Sequence, residues 1–112
     1  LEELIQVFKD ENFTIIQETT KAIGFESFNT KELIYLLPYK EITVALNPAT
    51  VENYFLLKHA AKGFTHSTAL KKFPRRINNG ETPIPYGNSF KFQSVEELSS
   101  FLREFNLLTV EG

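Results

Sequence analysis

The chain has 112 residues with a net charge of −2, 42% hydrophobic and 23% charged side chains, and no cysteine. That composition is ordinary for a globular domain long enough to bury its own core, and it excludes disulfides, thiol catalysis and thiolate metal sites. No run of about eighteen apolar residues reads as a membrane span and no signal-peptide pattern opens the chain, so with cysteine absent the expected setting is reducing and cytoplasmic.

Leu1, Leu4, Ile5 and Phe8 fall on one face of a helix that stops near Asn12. FTIIQ (13–17) and AIGFESF (22–28) read as strands joined by a polar ETTK turn, hence a hairpin. Pro38, three residues before the next strand, favours strand–turn–strand over a helix at 32–37. EITVAL (41–46) alternates, with Ile42, Val44 and Leu46 on one face.

Asn47-Pro48 is a helix start, with Asn as cap and Pro at the first helical position. The spacing predicts one helix from there to about Lys62, with Val51, Tyr54, Phe55 and Lys58 along one side and Gly63 as a left-handed stop. Residues 64–89 look irregular, with turn signals at Asn79-Gly80 and Tyr86-Gly87-Asn88 and short strands at 64–67 and 89–92. Their apolar residues argue for a loop packed on the body. Ser94-Val95-Glu96-Glu97 is a capping box opening a helix striped by Val95, Leu98, Phe101, Leu102 and Phe105.

The expectation is therefore one α+β domain over 1–112: a mostly antiparallel sheet of four to six strands with about three helices packed on it, in the order α-β-β-β-β-α-(β-β)-α.

Charge is segregated along this order. Residues 1–52 hold nine acids and four bases, net −5. Residues 53–80 hold no acid and six bases: Lys58, Lys62, Lys71, Lys72, Arg75 and Arg76. Residues 81–112 hold five acids and two bases, net −3. Such a block either solvates a surface and pairs with acids elsewhere, or forms an anion-binding face. In the second case Arg75 and Arg76 suit bidentate phosphate contacts, with the lysines as point charges beside them.

Other chemistries find less support. The two histidines, His59 and His66, lie outside any two-histidine helix signature, and no calcium loop or glycine-rich phosphate loop occurs, so no metal or cofactor is expected. His66-Ser67-Thr68 has an imidazole beside hydroxyls, yet lacks the elbow glycines of a hydrolase. The paired acids Glu2-Glu3 and Glu96-Glu97 sit where a helix dipole favours them.

The reading is a binding module rather than an enzyme, with nucleic acid as first partner. Phe64, Phe73, Tyr86 and Tyr54 are interleaved with the six cations, as single-strand binding requires. His66 and Asn78-Asn79 add hydrogen-bonding capacity. The contact residues expected are Lys58, Lys62, Lys71, Lys72, Arg75 and Arg76, with His66, Phe73 and Tyr86 beside them. For Phe73 the competing reading is core packing, held inward by its charged neighbours. The alternative function is contact with an acidic protein or with another copy, for which the TPIPYG stretch, stiffened by Pro83 and Pro85, offers a preorganised loop.

Overall fold

The computed structural model describes residues 1–110. They form an α+β fold built on one antiparallel sheet. In chain order the elements are α1 (Glu2–Asp10), β1 (Phe13–Glu18), β2 (Ile23–Ser27), β3 (Leu33–Leu36), β4 (Ile42–Leu46), α2 (Pro48–Glu52), α3 (Phe55–Ala60), β5 (Phe64–His66), β6 (Arg75–Arg76), β7 (Ile84–Phe92) and α4 (Val95–Thr109). The strands run β1-β2-β3-β4-β7-β5 across the sheet, and β6 pairs with the start of β7.

Strand alternation gives the sheet two covered faces. Ile34, Val44, Leu46 and Phe90 point to the first, where they meet Phe8 of α1 and Leu98, Leu102 and Phe105 of α4. Phe8 lies flat on Phe25 at 3.9 Å and edge-on to Phe13 at 5.5 Å, so the phenylalanine-rich composition becomes an aromatic core under the helices. The end of α1 is tied along α4 by Glu11, whose carboxylate accepts from Ser99 Oγ and Arg103 Nη2, while Asn106 Nδ2 donates to its carbonyl.

The second face carries small residues. Gly24 and Gly87 lie where any side chain would collide with its surroundings, and Ala45 is fully buried beside them. A Cβ on Gly87 would meet Leu46 O at 2.8 Å and the Phe73 ring at 3.1 Å, and one on Gly24 would meet Tyr35 Cε1 at 2.9 Å. Into this space pack Tyr35 and the segment 67–73, whose Ala69, Leu70 and Phe73 are all buried.

Asn12 adopts φ +70° and ends α1 as expected, and Asn47 Oδ1 accepts from the Ala49 N–H to cap α2. Ser94 caps α4 by accepting from the Glu97 N–H, and Glu97 reaches back to the N–H of Gln93, one residue before the cap.

Three expectations need correction. The helix foreseen from 48 to 62 is two, because Tyr54 takes an extended conformation (φ −131°, ψ 114°), so there are four helices rather than three. The break has a packing reason: it turns Leu57 inward where an unbroken helix would have aimed Lys58, and it leaves Phe55 72% exposed. Gly63 does have φ +98°, but it turns the chain into β5 and does not cap the helix, whose last residue is Ala60. Finally, the sheet has seven strands, because β7 starts at Ile84 and β6 pairs with it. Proline is tolerated there because Pro85 lies opposite Arg75 at a position where the ladder bond runs from the Tyr86 N–H to the Pro74 carbonyl, so no Pro85 N–H is called for, and its carbonyl still accepts from the Ser67 N–H. The TPIPYG stretch is therefore largely strand.

Candidate nucleic-acid interface

The acid-free segment folds around the start of β7, and strand alternation divides it between the two faces. Arg75 pairs with Pro85 and Arg76 with Ile84, so these neighbouring arginines face opposite sides of the sheet. Arg75 goes with the second face, where Lys71 and Lys72 stand exposed on the loop anchored by Phe73. Arg76 goes with the first face, together with Phe64, His66, Tyr86 and Asn88. The six cations therefore do not form one flat patch.

The loop bearing Lys71 and Lys72 is held firmly. Phe73 is 4% exposed and meets Tyr35 edge-on at 4.8 Å. The Tyr35 hydroxyl accepts from the Lys72 N–H at 3.2 Å, and Gln17 Nε2 donates to the Ala69 carbonyl at 2.6 Å. Burial raises the Tyr35 phenol above its ordinary pKa, against the smaller opposing pull of the Lys72 N–H. Phe73 thus belongs to the core and offers no ring to a ligand; its role is to fix the cations that flank it.

On the first face the Arg76 guanidinium lies 4.1 Å from the Tyr86 ring centre and 4.4 Å from that of Phe64. Its Nε donates to His66 Nε2 at 3.0 Å, and the His66 ring stacks on Tyr86 at 5.8 Å. That hydrogen bond requires a neutral imidazole with its proton on Nδ1. It leaves both terminal guanidinium nitrogens without a protein partner among the described residues. Arg76 is thereby oriented by its neighbours while its bidentate edge stays open.

Burial, and secondarily the charge of Arg76, hold the His66 imidazole below the ordinary histidine pKa. The other titratable groups about this ring are Tyr86 beside it and Lys21 and Tyr39, which line an adjoining hollow. A base whose pKa is depressed by folding binds fewer protons folded than unfolded. Its contribution to stability is present above the ordinary value of about 6.5 and is lost as pH falls through the folded value. Melting temperature should therefore decline on acidification through this range, and His66→Gln should flatten that part of the profile.

Of the remaining cations, Lys58 is paired with Glu52 at 3.0 Å, and Lys62 is exposed where its N–H donates to the Ser89 carbonyl. Asn78 and Asn79 are exposed in the turn before β7, and Tyr54 is half-buried against the helix-side core. His59 rests on Phe55 at 4.2 Å, apart from the Arg76 cluster.

Beside the Arg76 cluster runs an open groove of about 560 Å³ lined by Pro48, Val51, Phe64, Pro74, Tyr86 and Asn88, with the Glu52–Lys58 pair also along it. Phe64 was expected from sequence only as an aromatic interleaved with the cations, and Asn88 was not expected as a contact residue at all. Their signal was the alternation 64, 66 against 84, 86, 88, which becomes readable only once β5 and β7 are known to pair. No protein family and no curated protein matches this sequence.

Proposed function

We propose that this protein is a nucleic-acid-binding module that engages phosphates through Lys71, Lys72, Arg75 and Arg76. The observation that supports the reading is the absence of neutralisation. Among the described residues the ion pairs are Lys58–Glu52, Lys91–Glu41 and Arg103–Glu11, so five of the six cations in the acid-free segment have no carboxylate within 4.0 Å. A half-exposed aromatic, Phe64, stands next to an oriented guanidinium in the same segment, the pairing of groups that single strands require. The absence of cysteine suits a reducing, cytoplasmic setting. No helix among the described residues is long and apolar enough to cross a membrane.

Fluorescence anisotropy with a labelled single-stranded oligonucleotide tests the reading. Binding is expected at low salt, with the double variant Arg75→Ala, Arg76→Ala weakened while its circular dichroism shows the fold retained. Failure of the wild-type protein to bind at low salt would remove the proposal.

A second reading, contact with another copy of this chain, is favoured by a different place. Leu56, Phe101, Leu107 and Leu108 line an apolar groove of about 500 Å³ between α3 and α4, and Leu56 and Leu107 are 65% and 71% exposed. Sedimentation over a wide concentration range separates the readings, since Leu107→Asp should abolish self-association and leave oligonucleotide binding intact.

A further inference from the structure

We infer that the groove between α2 and the Phe64–Tyr86 wall receives an unpaired nucleobase of a single strand whose adjoining phosphate lies on Arg76. This rests on the phosphate-binding reading above and adds to it a base pocket. The groove differs in character from the cationic surface around it. Its one lysine, Lys58, is neutralised by Glu52 at 3.0 Å, and apart from Asn88 its walls are otherwise prolines, Ala49, Val51 and aromatic rings. A net-neutral apolar slot disfavours a phosphate and suits a flat, uncharged base. Its volume, about 560 Å³, falls in the range of small-ligand sites.

Asn88 supplies the second observation. It lines the groove, is 9% exposed, and its side-chain amide makes no hydrogen bond among the described residues. The amide atoms stay open to the groove, where a carboxamide presents the donor–acceptor pair that matches a base edge. Phe64, 53% exposed at the groove's margin, offers the stacking surface. Arg76 does not line the groove but stands against two of its lining rings, so an entering base would bring its phosphate toward the open guanidinium edge.

The test compares a short oligo(dA) strand with an abasic strand of equal length, using anisotropy at fixed salt with wild-type protein and with Phe64→Ala. The base-bearing strand is expected to bind about tenfold more tightly, and Phe64→Ala should abolish that ratio. In NMR spectra of the wild-type protein, the Asn88 side-chain amide signals should shift with oligo(dA) and stay in place with the abasic strand, a readout independent of how the variant folds. Equal affinities with unmoved Asn88 signals would overturn the base pocket while leaving the phosphate reading standing. Binding of neither strand would overturn both.

Discussion

Replacing Phe73 by alanine is expected to lower the free energy of unfolding by about 3–5 kcal/mol, the usual range for deleting a buried aromatic ring. The ring is 4% exposed, meets Tyr35 edge-on at 4.8 Å, and lies so close to Gly87 that no side chain fits there. The small residues of that sheet face cannot close over the space the ring would leave, so the cavity term should persist. Denaturant unfolding with an unchanged slope would measure the loss, and Phe73→Leu should recover a large part of it. Phe73 also anchors the loop that presents Lys71 and Lys72, so oligonucleotide affinity should fall in the alanine variant even where it remains folded. A loss below about 1 kcal/mol would mean that the ring does not hold the loop.

Changing Lys71, Lys72, Arg75 and Arg76 together to alanine should weaken single-strand binding by about a thousandfold, since four charge-assisted contacts of about 1 kcal/mol each are removed. Stability should hardly change, because Lys71, Lys72 and Arg75 are exposed and make no ion pair with the described carboxylates. Arg76 is the exception, since its contacts with Phe64, Tyr86 and His66 orient this corner of the sheet. Arg76→Lys should keep the charge and lose the stacked, bidentate geometry, giving an intermediate affinity. Circular dichroism and melting of each variant separate lost contacts from lost fold. A four-cation variant that binds as well as the wild type would show that these side chains do not contact the strand.

The elements legible in the sequence are those whose signal is local. The stripe Leu98, Leu102, Phe105 with the Ser94 cap marks α4, and the alternation of Ile42, Val44 and Leu46 marks β4; both faces of β4 are buried, but the period was enough. What could not be read depends on partners distant in the chain. The break at Tyr54 follows from the demand of the core for Leu57 rather than Lys58. The start of β7 at Ile84 was hidden by Pro83 and Pro85, which punctuate a loop unless β5 and β6 are there to pair. The covering of the second sheet face by residues 67–73 was written only as small residues at positions 24, 45 and 87, a pattern spread over three strands.

The same division holds for the candidate site. The acid-free block was visible as charge, and its cations are largely unpaired. Its split between two faces was not visible, because the opposed directions of Arg75 and Arg76 follow from β6 being a strand. Phe73 shows the limit from the other side: a basic, aromatic stretch reads as a stacking surface, yet its ring is the part the fold consumes.

The most direct test of the central claim, that these unneutralised cations meet nucleic acid phosphates, is the salt dependence of single-strand binding. With four phosphates engaged, the logarithm of the association constant should fall against the logarithm of salt concentration with a slope of about −3, and the slope for Arg75→Ala, Arg76→Ala should be about half as steep. A slope near zero, or one unchanged by the loss of both arginines, would contradict it.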